Sequence, residues 1–243
     1  MSPELLILLL GVFVVAALYS SVGHAGASGY IAVMSLMSLS PMMIKPTALS
    51  LNILVASITT WQFYRAGHFS WKLFWPFAIL AVPLAFVGGH MALPVHVFKI
   101  LLGLVLIFSA TRLLMSAKQT IAVKDAPRSQ AILAGGGIGL LSGLTGTGGG
   151  IFLTPLLIFM GWAEAKRAAA VSALFVLMNS ISGLAGNIAA TKSLPPYIIS
   201  MLIAVALGGT LGAYMGSQRI ESSVIKKLLA VVLLIAGLKL IFT

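Results

Sequence analysis

The sequence predicts an all-α polytopic membrane protein. It is expected as two inverted repeats, each a broken, re-entrant helical hairpin followed by three transmembrane helices. Three observations predict this. Only 8% of the 243 residues are charged and 60% are hydrophobic, with a mean hydropathy of +1.10. A soluble domain carries about 25% charged residues to cover its surface. Apolar runs of membrane-spanning length alternate with shorter ones, and the same order of runs occurs twice.

The first run, residues 4–18, is read as structure. It lacks the basic leader of a signal peptide and carries Glu4 instead. A short run at 30–39 follows it across a break, Gly23-His24-Ala25-Gly26-Ala27-Ser28-Gly29-Tyr30. Runs 46–64, 73–92 and 97–114 have the length that crosses hydrocarbon. The polar linker 117–128 then separates the repeat 1–116 from the repeat 129–243. The second half opens with runs 131–144 and 151–160 around Gly143–Gly150, which reads G-L-T-G-T-G-G-G. Glycine costs about 1 kcal/mol in a helix interior relative to alanine, so this cluster breaks a helix. Runs 168–190, 196–215 and 224–242 complete the chain. With each hairpin counted as one, about eight membrane segments result.

The repeat is legible in matching motifs. Gly26-Ala-Ser-Gly29-Tyr-Ile31 aligns with Gly146-Thr-Gly-Gly149-Gly-Ile151, and Ala85–Gly89 with Gly212–Gly216. Lys99-Ile-Leu-Leu102 aligns with Lys226-Lys-Leu-Leu229, and Arg112-Leu113 with Lys239-Leu240.

Charge orients the halves. If each short pair is one broken span, the halves are parallel and the cations divide almost evenly between the two sides. If each is a hairpin that enters and returns, the halves are inverted. One side then carries Arg65, Lys72, Arg112, Lys118, Lys124, Arg128, Lys166, Arg167, Arg219, Lys226 and Lys227; the other carries Lys45, Lys99, Lys192 and Lys239. That bias fits the positive-inside rule, so the hairpin arrangement is preferred. It puts the linker in the cytoplasm and both termini outside the cell inner membrane. Arms 131–144 and 151–160, about 21 and 15 Å long as helices, each reach the middle of a ~30 Å core.

Interrupted segments at matching places in two halves point to a secondary transporter whose site lies where the breaks meet. The same residues carry a resemblance. The pattern G-x-G-G-G-I-x-x-x-P at Gly146–Pro155 resembles the signature of the TauE/SafE family, the sulfite exporter or toluene-sulfonate uptake permeases. Lys166-Arg-Ala-Ala-Ala-Val-Ser172, Lys45-Pro-Thr-Ala-Leu-Ser50 and Tyr64-Arg-Ala-Gly-His-Phe-Ser-Trp71 are similar to other stretches of that family. The first half departs from the pattern, with His24, Ala27, Ser28 and Tyr30 in place of a glycine-rich signature and Ser35 in place of the proline. The resemblance implies transport of sulfite, an organosulfonate or a similar anion, in either direction.

An anion in mid-membrane needs donors. A helix N-terminus offers unpaired N–H groups and about half a positive charge. Two such ends are expected, near Tyr30 and near Ile151; Thr154-Pro155, as N-cap and first residue, would shift the second by a turn. Substrate-contact candidates are Ser28, Gly29, Tyr30, Thr145, Thr147, Gly148, Gly149 and Gly150 at the breaks. Ser50, Asn52, Ser172 and Asn179 join them from facing segments. The competing roles are local bonding of hydroxyls to their own helix and interhelical contact by the amides. His24 is the candidate for a coupling proton, against a neutral, hydrogen-bonded histidine.

No acid falls deep in an apolar run, no H-E-x-x-H occurs, and there is no cysteine. No enzyme activity, metal or cofactor is expected. The net charge of +11 follows the flanks of apolar runs, so anionic lipid and not nucleic acid is the expected partner. The other expected partners are a small anionic substrate and a second copy of the chain as a homodimer. A transporter or channel for another small anion, or a membrane assembly protein, is the alternative.

Overall fold

A computed structural model describes residues 3–37, 39–91, 123–187 and 194–221, with scattered positions between 107 and 111 and between 223 and 238. Among these residues all regular secondary structure is helical. The helices are α1 (Pro3–Ser21), α2 (Ala27–Leu36), α3 (Pro41–Arg65), α4 (Trp71–His90), α5 (Arg128–Thr145), α6 (Gly150–Phe159), α7 (Ala165–Gly186) and α8 (Ile198–Tyr214). A π-helical turn, Met215–Arg219, extends α8. Among the described residues, five stretches are long and apolar enough to cross a membrane: Pro3–Ser21, Met43–Arg65, Trp71–His90, Ala165–Gly186 and Ile198–Arg219. The expected spans 97–114 and 224–242 fall wholly or partly outside the described residues, as do Lys99, Arg112, Lys118, Lys192 and Lys239.

The first arms are longer than the sequence predicts. α1 has 19 residues and α5 has 18. At 1.5 Å per residue they run about 28 and 27 Å, close to the full hydrocarbon thickness and not half of it. Hydropathy stops short because polar residues close both helices. In α1 the Ser20 and Ser21 hydroxyls donate to the carbonyls of Ala16 and Leu18, at 2.6 and 2.7 Å, so the helix continues through them.

Glycine sets how the helices pair. Gly11 lies against Val33, and Gly29 against Val15, so α2 folds back antiparallel along α1. Gly208, Gly212 and Gly216 rest on the carbonyls of Phe13, Ala17 and Ser21, one turn further at each step. That is a parallel contact of α8 with α1. Gly135, Gly139 and Gly143 repeat it on the carbonyls of Phe77, Ala81 and Ala85, which aligns α5 with α4. No Cβ fits at such positions, so small residues let the backbones touch.

α7 crosses both layers. It lies antiparallel to α3, with Ser180 beside Asn52 and Ala169 beside Phe63. It also packs on α4, where the Ser182 hydroxyl donates to the carbonyl of Val82 at 2.6 Å. One apolar core gathers Phe77, Leu153, Leu157 and Phe175; another gathers Val12, Tyr30, Leu51 and Val205. Large apolar side chains also face outward, at Ile7, Leu10 and Val14 on α1 and Ile199, Ile203 and Leu207 on α8. A lipid-facing surface has this character.

Cations collect at one end. Arg65 closes α3, Lys72 begins α4, Arg128 begins α5, Lys166 and Arg167 begin α7, and Arg219 ends the π turn. Lys72 pairs with Asp125 at 2.7 Å, and Lys166 and His68 both donate to the carbonyl of Ser217. Trp61, Trp71 and Trp75 stand exposed there, as interfacial aromatics do. Lys45 lies near the opposite end of α3.

Candidate helix-break site

Both breaks are built from left-handed backbone. Gly23 and Gly26 have φ of 81° and 104°; Gly146, Gly148 and Gly149 have φ of 74°, 77° and 84°. Only glycine takes these values without strain. Gly146 ends α5, its N–H bonding the carbonyl of Ser142 at 2.8 Å. Gly149 is the N-cap of α6, which therefore begins at Gly150. Thr154 and Pro155 sit a full turn inside α6, so they are not its cap.

The structure brings the two breaks together. The Nε2 of His24 and the hydroxyl of Thr154 hydrogen-bond at 3.0 Å, both side chains buried. His24 also packs against Gly150 at the helix N-terminus. Asn52 reaches the same break from α3. Its Nδ2 faces the carbonyl of Thr147 and the hydroxyl of Ser180, each at 3.4 Å. Gly148 is wedged against Asn52, Val176 and Ser180, and Gly149 against Phe175, Ile138 and Ser142. On α7, Ser172, Val176 and Asn179 follow at helical spacing, and Val176 touches both Gly148 and Gly150. That stripe faces the second break.

The candidate hydroxyls divide into two groups. Ser50 donates to the carbonyl of Pro46 at 2.9 Å, and Thr145 to that of Leu141 at 2.6 Å. Thr147 and Thr145 bond each other at 2.9 Å, Ser28 donates to the Tyr19 oxygen at 3.1 Å, and Tyr30 donates to the carbonyl of Ala25. Gly29 packs on Val15 and Tyr19. These groups are occupied within the protein. A second group is buried with no hydrogen-bond partner among the described residues: His24 Nδ1, Thr47 Oγ1, Asn52 Oδ1, Ser142 Oγ, Ser172 Oγ and both amide atoms of Asn179. Buried polar atoms are nearly always bonded, so the orphans of His24, Asn52 and Ser142, which lie against Gly148–Gly150, mark a place where a polar ligand fits.

Sequence reasoning passed over Ser180, which reaches the site, and took Lys45 as a loop charge and as part of the Lys45–Ser50 motif, not as a site residue. Hydropathy gives no signal for them; their distance to the break is a tertiary fact. His90 ends α4 and donates to the carbonyl of Gly186 at 3.3 Å. A surface cavity of 720 Å³ opens at the basic end instead, lined by Trp71, Lys72, Asp125, Arg128 and Arg167 among others. Of its charged groups Lys72 and Asp125 pair with each other and stand exposed, whereas the atoms at the breaks are buried and orphaned, so the breaks are the better candidate. Among the described residues no group of His, Asp and Glu could hold a metal.

The family model for the sulfite exporter TauE/SafE matches residues 7–240. A probable membrane transporter protein, y4hK, from Sinorhizobium fredii (strain NBRC 101917 / NGR234), is 43% identical over 247 residues, covering all of both chains. A second, YunE from Bacillus subtilis (strain 168), is 26% identical over 105 residues, covering 43% of this chain and 38% of its own. No solved structure matches the chain significantly.

Proposed function

Since the chain belongs to the TauE/SafE family of multi-pass membrane transporters, which are not enzymes, we propose that it carries a small sulfur-containing anion, sulfite or an organosulfonate, between the two helix breaks. The observation that carries this proposal is the His24–Thr154 hydrogen bond, which joins one break to the helix that follows the other, one turn in. The anion is held by the free N–H groups at the start of α6, with the glycines allowing close backbone approach. Ser142, Ser172, Asn52 and Asn179 supply the surrounding polar groups, and Thr147 through Gly150 form the floor.

The two halves act as inverted repeats, 1–116 and 129–243, joined by the cytoplasmic linker 117–128. The parallel contacts of α1 with α8 and of α5 with α4 support this, because each half's broken arm then lies along a helix of the other half. The basic end faces the cytoplasm by the positive-inside rule, and both termini face the periplasm of a bacterial inner membrane. Export needs no coupling ion. One charge crossing 100 mV is worth about 2.3 kcal/mol, which drives an anion out of a negative interior.

Purified protein in proteoliposomes tests the proposal. Labelled sulfite or a sulfonate is expected to cross faster than in protein-free vesicles. Folded protein that moves none of several sulfur oxyanions would overturn it. A C-terminal reporter is expected to be active outside; activity in the cytoplasm would sink the inverted arrangement.

A further inference from the structure

We infer that Lys45 is the cation that makes the second break selective for anions and meets the substrate on its way to Gly148–Gly150, an inference that rests on the transport proposal above. The break presents two helix ends of opposite sign. α6 offers its positive N-terminus at Gly150, but α5 ends at Thr145 and offers a negative C-terminus a few residues away. The two partial charges oppose each other, and alone they leave an anion little net attraction.

Lys45 tips that balance. Its stem lies against Gly146, where an added Cβ would stand 2.9 Å from Lys45 Cγ. Its ammonium donates to the carbonyl of Gly89, at the end of α4, at 3.3 Å. Gly89 is itself packed on Gly143 in the last turn of α5. The positive charge therefore sits beside the C-terminal ends of both α4 and α5. The side chain is half-buried, and among the described residues no carboxylate pairs with it. The Gly89 contact is a long one and uses one of three N–H donors. The others are free to meet an oxyanion.

Lys45 also shares a face of α3 with the rest of the site. Residues 45, 49 and 52 follow at i, i+4 and i+7. Lys45 and Leu49 touch Gly146, and Asn52 touches Gly148. An anion bound at Gly148–Gly150 has Asn52 beside it and the lysine two turns along the same helix, toward the end with fewer cations.

Kinetics of labelled sulfite flux in proteoliposomes separate this from a purely structural lysine. Lys45→Gln keeps a donor for the Gly89 carbonyl but removes the charge. Its KM for sulfite is expected to rise roughly tenfold or more, the size of effect seen when a charged partner is lost, with kcat less affected. Lys45→Arg is expected to restore most of the affinity. A KM unchanged in Lys45→Gln, with or without a lower Tm, overturns the inference. Should Lys45→Gln fail to fold, amine acylation of the wild type serves, read by mass spectrometry of the Lys45 peptide. Saturating sulfite is expected to protect it, and equal labelling with and without sulfite overturns the inference. Wild-type protein that moves no sulfite would overturn the transport proposal itself; flux with an indifferent Lys45 would overturn only this one.

Discussion

His24 and Thr154 stand 130 positions apart, yet imidazole and hydroxyl meet at 3.0 Å in the interior. The bond fixes one helix break against the helix that follows the other, one turn from its start. Losing either partner leaves the other buried without its mate, at a cost of about 1–3 kcal/mol. His24→Ala and Thr154→Val are therefore each expected to lower thermal stability in detergent. The double variant is expected to lose less than the sum, with a coupling of about 1 kcal/mol or more. Additive losses would show that the two side chains do not act as a pair.

Asn179 offers a test that separates function from stability. It is fully buried, and neither amide atom has a partner among the described residues. Removing such a group is neutral or stabilising for the fold. Asn179→Leu is expected to keep or raise the unfolding temperature. Sulfite flux is expected to fall by about tenfold or more, the value of one hydrogen bond to a charged group. A fall in stability with flux retained would assign Asn179 to packing alone.

Two glycines of α5 are expected to behave oppositely. Gly139 lies on the carbonyl of Ala81, while Gly137 has nothing near it. Gly139→Val is expected to destabilise by more than about 4 kcal/mol, because the α4–α5 contact cannot close over a branched side chain. Gly137→Ala is expected to stabilise by up to about 1 kcal/mol, through helix propensity. Detergent unfolding of both variants checks the pair.

The Lys72–Asp125 ion pair is close, at 2.7 Å, but its side chains are 77% and 84% exposed. Asp125→Asn is expected to cost less than about 1 kcal/mol, and less still at high salt. A larger loss in a salt titration of stability would mean that this pair anchors the segment before α5.

The helix lengths show where local pattern fails. The run at 4–18 is legible because each residue's hydropathy is its own property. Ser20 and Ser21 end that run on paper but not in space, since each hydroxyl finds a carbonyl one turn back. The same effect removes Ser50 and Thr145 from the set of free donors, while Ser142 and Ser172, alike in sequence, have no partner among the described residues.

What the sequence determined by itself was the membrane class and the position of the breaks. Hydrophobic length and glycine's access to positive φ are both local, and Gly146, Gly148 and Gly149 take the backbone their identity permits. What only the tertiary structure decided was the company the breaks keep. The bond of His24 to Thr154, the Lys45 stem on Gly146 and the pairing of α1 with α8 all join residues more than a hundred positions apart. Such contacts depend on how helices cross, and helix crossing is set by where glycines on one helix meet carbonyls on another. No window of sequence contains both partners.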